Sequence, residues 1–126
     1  RGDSLTIICW GAMVQKSMEA AQQISASDNI IEIIDIRTLN PIDYDTIKDS
    51  ISKTGKVLVV YEDNLTNGPG AELCSVIADR YFEYLDGPVK RVASKDSPVP
   101  YNWFLEDDVL VQVKDISNGI KELLEY

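Results

Sequence analysis

The chain has 126 residues, 44% of them hydrophobic and 26% charged, with a net charge of −9 and no histidine. That length fits one domain, and the acidic balance disfavours both phosphate backbones and anionic lipid, so neither nucleic acid nor a membrane surface is an expected partner. The missing histidine excludes Ser-His and Cys-His catalysis and imidazole metal sites within the chain, and no apolar run approaches the ~20 residues of a bilayer span.

A strand pattern begins almost at once, Leu5–Trp10, after an opening Arg1 rather than Met. This reads as a segment of a longer polypeptide. Gly11 is a single glycine after that strand. A dinucleotide site needs several there, and no P-loop follows, so Gly11 reads as a tight turn before a helix. Nor do Cys9-Trp10-Gly11 supply the acidic pair of a phospho-acceptor domain. The helix, Ala12 to Ala26, carries Val14, Met18, Ala21 and Ile24 at helical spacing. Cys9 and Cys74 lack metal-ligand spacing and read as buried thiols in a reducing compartment.

A second apolar run, Ile30–Ile36, breaks into Arg37-Thr38-Leu39-Asn40-Pro41-Ile42-Asp43. Thr38, Asn40 and Asp43 can bond local backbone, and Pro41 stops the strand. Arg37 is expected to be structural, paired with Asp35 or Asp43. A second helix carries Tyr44, Ile47 and Ile51, with Asp43 as its cap and Gly55 as its terminator. A third strand, Val57–Tyr61, ends in Glu62 and Asp63, which read as solvated carboxylates rather than ligands. Gly68-Pro69-Gly70 then enters a third helix presenting Leu73, Ile77 and Tyr81, with Glu72 suited to its dipole. Gly87-Pro88 turns into the last strand, Val89–Ala93. Ser94 to about Asp108 reads as an irregular, aromatic-bearing segment, functional or packed against something. Val113, Ile116, Ile120, Leu123 and Leu124 mark the closing helix. The first three strands are apolar enough for burial on both faces. Strand-helix alternation then predicts an α/β fold: a three-layer α/β/α domain over residues 1–126, with a mainly parallel sheet and right-handed crossover helices.

Three blocks carry a family resemblance. They are Asp35-Ile36-Arg37-Thr38-Leu39-Asn40-Pro41-Ile42-Asp43, then Tyr61-Glu62-Asp63-Asn64 with Gly68-Pro69-Gly70-Ala71-Glu72-Leu73, then Leu85-Asp86-Gly87-Pro88-Val89-Lys90-Arg91-Val92 with Asp96-Ser97-Pro98-Val99-Pro100-Tyr101 and Leu105-Glu106-Asp107. In order and spacing they resemble the transketolase C-terminal-like domain of the beta subunit of the thiamine-dependent, decarboxylating component of 2-oxoacid dehydrogenase complexes, the pyruvate and branched-chain enzymes. The resemblance covers nearly the whole chain.

That resemblance implies a domain whose antiparallel N-terminal edge strand would precede Arg1, leaving a sheet edge open. It implies a parent enzyme that uses thiamine diphosphate and Mg²⁺ to decarboxylate a 2-oxoacid and passes the acyl group to lipoyl groups. The cofactor and the catalytic histidines would lie outside this chain, so it implies no catalytic, cofactor-binding or metal residue here. The implied role is pairing and docking: contact with a second beta subunit and the alpha subunit, and capture of the basic subunit-binding domain of the dihydrolipoyl acyltransferase core. By matching position, Asp86 is the acidic docking residue and the final carboxylate, at Tyr126, the second, although the family often ends in an aliphatic residue. The compartment implied is bacterial cytoplasm or mitochondrial matrix. Two other readings stand beside it. One is a standalone doubly wound interaction domain. The other is the matching domain of a transketolase or deoxyxylulose-phosphate synthase, whose sugar-phosphate substrates need cations such as Arg37, Lys90, Arg91 and Lys95.

With neither histidine nor a glycine-rich phosphate cradle, the chain alone is expected to show no heat of binding when titrated calorimetrically with thiamine diphosphate and Mg²⁺. Micromolar affinity would overturn this reading.

Overall fold

A computed structural model of the chain describes residues 2–24 and 30–126. Four strands form one parallel sheet in the order β2-β1-β3-β4, with β1 Leu5–Cys9, β2 Ile31–Asp35, β3 Val57–Asn64 and β4 Val89–Ser94. The crossovers are α1 Ala12–Ile24, α2 Tyr44–Thr54 and α3 Pro69–Arg80, and α4 Trp103–Val109 and α5 Val113–Leu124 follow β4. The last two residues of the expected first helix, Ser25 and Ala26, lie outside the described residues.

The layers follow from the strand order. β1 pairs with β2 on one side and with β3 on the other, in register Thr6↔Glu32 and Thr6↔Val57. The chain first steps outward to β2, then crosses back over β1 to β3 and on to β4. Right-handed crossovers in opposite directions must use opposite faces. Accordingly α1 and α5 cover one face with a core that includes Leu5, Ile7, Met13, Leu58, Ile116 and Ile120. α2 and α3 cover the other, over Ile8, Ile47, Ile51, Val59, Leu73 and Ile77. The three-layer α/β/α expectation holds.

Local chemistry sets the helix ends. Asp43 caps α2, accepting from the Thr46 amide at 3.0 Å and the Thr46 hydroxyl at 2.7 Å. These bonds hold its carboxyl below the usual carboxylate range. Gly55 closes α2 in the left-handed region at φ 69°.

Three expectations are corrected. β2 is an edge strand and only partly buried, because apolar composition does not report position in a sheet. Along α1 the buried residues are Met13, Ser17 and Ala20, while Met18 is half exposed, so the buried stripe is rotated from the apolar spacing. The segment from Ser94 to Asp108 is not wholly irregular. It contains α4, started by the Asn102 side chain accepting from the Phe104 amide at 3.0 Å. None of α4's residues is buried, so no apolar stripe announces it.

Under β1 runs a chain of buried hydroxyls. Thr6 Oγ1 lies 2.7 Å from both Ser50 Oγ and Thr54 Oγ1. Ser50 Oγ donates to Glu32 at 2.8 Å, and Glu32 also pairs with Lys53. Because Ser50 spends its one proton on Glu32, Thr6 donates to Ser50, and Thr54 shares its own proton between Thr6 Oγ1 and the Ser50 carbonyl at 3.1 Å. Burial works to raise the Glu32 carboxyl, but the Lys53 and Ser50 bonds prevail and hold it low. Thr6→Val keeps the shape and strips the middle of this relay. It should destabilise the domain by about 1–3 kcal/mol, read as a lower urea midpoint at unchanged slope.

Candidate functional site

Ligands of open α/β sheets bind where the strand order reverses, at the carboxyl ends of the strands. Here that point lies between β1 and β3, and side chains fill it. Trp10 stacks on Tyr61 with ring centroids 5.6 Å apart and planes 10° from parallel. A Cβ on Gly70 would fall 2.1 Å from Tyr61 Cε1, and one on Gly68 2.7 Å from Tyr61 Cε2. The glycines entering α3 therefore make room for the Tyr61 ring rather than for a phosphate. The ring's hydroxyl donates to Leu65 O at 3.3 Å. Glu62 and Asp63 stand exposed on the last residues of β3. Among the described residues no cluster of His, Cys, Asp or Glu suits a metal.

The cations that a phosphorylated substrate would need are scattered and engaged. Arg37 Nε sits 3.6 Å from Asp35 Oδ2 in an exposed pair, as the sequence suggested, and such a pair adds little stability. Lys90 pairs with Glu122, and Lys95 with Asp108 at 2.8 Å. Arg91 donates to Leu65 O at 2.7 Å and reaches Tyr61 Oη at 3.5 Å.

The two residues that the resemblance singled out come together at the opposite, amino edge of the sheet. Asp86 follows a short 3-10 turn, Phe82–Tyr84, and precedes β4. Its amide donates to Gly55 O at 2.7 Å, tying the turn to the end of α2. Its carboxylate lies over the Gly55 α-carbon, where a Cβ would meet Oδ2 at 2.1 Å. Gly55 thus serves both the left-handed cap and the close approach of Asp86. The next residue, Gly87, faces Tyr126: a Cβ there would stand 3.4 Å from Tyr126 Cβ. Asp86 is exposed and Tyr126 is 70% exposed. Among the described residues, the Asp86 carboxylate has neither a hydrogen-bond donor nor a cation within reach, unlike those of Asp43, Asp96 and Glu32. The two positions, 40 residues apart in sequence, form one surface.

Residues 1–116 match the family described as "Transketolase, C-terminal domain". The chain belongs to that family. It is 41% identical to the pyruvate dehydrogenase E1 component subunit beta of Rickettsia bellii over 97% of this chain and 38% of that protein. It is 38% identical to the same subunit of Staphylococcus epidermidis over 99% of this chain and 38% of that protein. The mitochondrial subunit of Dictyostelium discoideum is 36% identical over 98% of this chain and 35% of that protein. Among solved structures, a split gene transketolase, an inactive beta4 tetramer, superposes at TM-score 0.82 and 25% identity over 99% of this chain and 39% of that one. A 2-oxoglutarate:ferredoxin oxidoreductase from Magnetococcus marinus shares the fold at TM-score 0.66 and 17% identity, over 98% of this chain and 18% of that one. The chain thus spans little more than a third of the curated relatives it matches. A transketolase C-terminal domain is the fold that the three sequence blocks implied.

Two surface features escaped sequence reasoning. One is the meeting of the Asp86 turn with Tyr126, which no spacing reports. The other is an exposed apolar strip at the carboxyl edge, with Val99, Tyr101, Trp103, Phe104 and Leu105 all facing solvent. Its aromatic content was visible in sequence, its exposure was not. Beside it, Asp96 clamps the loop after β3, accepting from the Thr66 hydroxyl at 2.6 Å and its amide at 2.9 Å. Those bonds lower the Asp96 carboxyl below its usual range. A lowered folded-state value means stability that is present above the ordinary carboxylate range and lost as pH falls through the folded value. Asp96→Asn should therefore flatten the loss of stability between about pH 5 and pH 2, measured by denaturant titration across that window. An unchanged acid limb would show that the clamp is not coupled to folding.

Proposed function

We propose that this transketolase C-terminal domain is a non-catalytic association and docking domain of a thiamine-diphosphate- and Mg²⁺-dependent 2-oxoacid dehydrogenase. Its parent would decarboxylate pyruvate or a branched-chain 2-oxoacid and pass the acyl group to lipoyl groups. The domain would be one part of a longer beta subunit, paired with a second beta subunit and an alpha subunit, in bacterial cytoplasm or mitochondrial matrix. Its amino edge would take the basic subunit-binding domain of the dihydrolipoyl acyltransferase core through Asp86 and Tyr126.

The observation that carries this reading is the convergence of those two residues on one exposed acidic surface. Three further points support it. At the β1/β3 switch point Trp10 and Tyr61 stack where such sheets hold ligands, which favours chemistry placed in other parts of the enzyme. The net charge of −9 favours fast, salt-sensitive encounter with a basic domain. The Asp86 turn is held by the Gly55 carbonyl and followed by Pro88, so little order is lost when a partner binds.

Asp86→Ala in the complete alpha-beta enzyme should weaken binding of the purified subunit-binding domain about tenfold or more. Removing Tyr126, and with it the final carboxylate at this position, should act in the same direction. Decarboxylation with an artificial electron acceptor should stay near wild type. Surface plasmon resonance at two salt concentrations is the measurement. Unchanged affinity, or equal loss of docking and decarboxylation, would refute the assignment.

A further inference from the structure

The sequence contains two Asn-Gly steps, Asn67-Gly68 and Asn118-Gly119. In such a step the backbone nitrogen of the glycine can attack the asparagine side-chain carbonyl, because glycine brings no Cβ to shield it. The reaction needs a backbone able to turn and an amide not already held in a hydrogen bond. The fold treats the two steps oppositely.

Asn118-Gly119 lies in the middle of α5. There the Gly119 amide is bonded to the carbonyl four residues back, as in any helix interior. Gly119 is buried, and a Cβ on it would stand 3.0 Å from Val92 Cγ2 and 3.2 Å from Leu58 Cδ1. Ile116 and Ile120 beside it are fully buried in the core. Attack at Asn118 therefore requires α5 to come off the sheet.

Asn67-Gly68 lies between β3 and α3, outside both. Asn67 is exposed and takes a left-handed φ of 60°, which asparagine tolerates better than most side chains. The Gly68 amide donates no backbone hydrogen bond to a described residue. Nor can Gly68 be exchanged, since a Cβ on it would fall 2.5 Å from Asn64 O and 2.7 Å from Tyr61 Cε2. Packing thus creates the labile pair: the Tyr61 ring demands glycine at position 68, and the left-handed turn leading to it favours asparagine at 67. Burial of Gly68 against Tyr61 does not bar the reaction, because nucleophile and electrophile are neighbours in the chain.

We propose that Asn67-Gly68 is a deamidation site at which the folded protein ages, while Asn118-Gly119 is protected. The Gly68 nitrogen bonds to Asn67 Cγ and the Cγ–Nδ2 bond breaks. Nδ2 leaves as ammonia, taking the proton given up by the Gly68 amide. Water then opens the cyclic imide at one carbonyl or the other, which yields aspartate or isoaspartate. Either product adds a carboxylate to a loop that already carries the exposed Glu62 and Asp63, and like charges there repel. It also adds that charge next to Thr66, whose amide and hydroxyl bind Asp96 at 2.9 and 2.6 Å. Isoaspartate further routes the main chain through the side chain, lengthening it by one methylene at the entrance to α3. Both changes act on the Asp96 clamp.

The test ages the intact protein at mildly alkaline pH, folded and in urea, and digests it with trypsin. Cleavage at lysine and arginine puts the two steps on separate peptides, Val57–Arg80 and Asp115–Lys121. In the folded protein the amide-to-acid mass gain should build up on Val57–Arg80, placed at Asn67 by fragmentation, at least about tenfold faster than on Asp115–Lys121. In urea both peptides should gain it at similar rates. The aged folded protein should accept methyl groups from S-adenosylmethionine through an isoaspartyl methyltransferase, on Val57–Arg80 alone, and its urea midpoint should fall. Asn67→Gly keeps the left-handed turn and lacks the side-chain amide, so it should age without either change. No mass gain at Asn67 in the folded protein, or equal rates at Asn67 and Asn118 there, would overturn the proposal. A midpoint that falls as far in aged Asn67→Gly as in wild type would overturn the effect on the clamp.

Discussion

Parallel pairing of β1 with β3 is the constraint on which the rest of the molecule depends. Every residue of β1 is buried, and so are the first five of β3. Two adjacent parallel strands with both faces out of water need a helical layer on each side, and they cannot be joined by a hairpin. The chain meets both needs at once. It steps outward to β2 through α1, then reverses across β1 through α2, which puts the two helices on opposite faces. β4 and α5 then complete the layers already begun.

That reversal divides the domain into two chemically different ends. At the carboxyl edge, where such sheets ordinarily hold ligands, Trp10 and Tyr61 stack and two glycines of the α3 entry close on the Tyr61 ring. The switch point between β1 and β3 is thus occupied by the protein's own rings, while a groove remains open at the end of β2 beside Asp35 and Arg37. At the amino edge the chain must return repeatedly to begin each strand, and its turns gather there. The end of α2, the turn before β4 and the end of α5 all arrive within contact of one another through Gly55, Asp86, Gly87 and Tyr126. A parallel sheet makes such gathering unavoidable, because every crossover starts at one edge and finishes at the other.

The functional reading follows from this asymmetry. The docking reading is supported by the Asp86 carboxylate, which has no partner among the described residues and sits on a tied turn, whereas Arg37, Lys90, Arg91 and Lys95 are scattered and engaged. The separate apolar strip from Val99 to Leu105 lies at the other end of the sheet. The two surfaces therefore do not compete for space. The chain belongs to the transketolase C-terminal domain family and is similar to pyruvate dehydrogenase beta subunits over little more than a third of their length.

The sequence by itself determined the elements whose signals are local. Asp43 three residues before Thr46, Gly55 after the last turn of α2 and Pro69 in the first turn of α3 each act within a few bonds of where they sit. The apolar runs of β1 and β3 likewise carry burial in their composition, and strand-helix alternation carries the layers. The tertiary structure decided what depends on residues far apart in the chain. β2 carries Glu32 and Asp35 among its isoleucines and lies at an edge, since strand order is set by crossovers and not by composition. Ser17 replaces Met18 in the buried face of α1 because α5 packs against the rotated stripe. α4 carries no buried residue and so no periodic signal. Asp86 and Tyr126 were each legible as an acidic turn and a chain end. Only the return of α5 to the amino edge places one beside the other, because contact across 40 residues is a property of the packed layers and not of any sequence spacing.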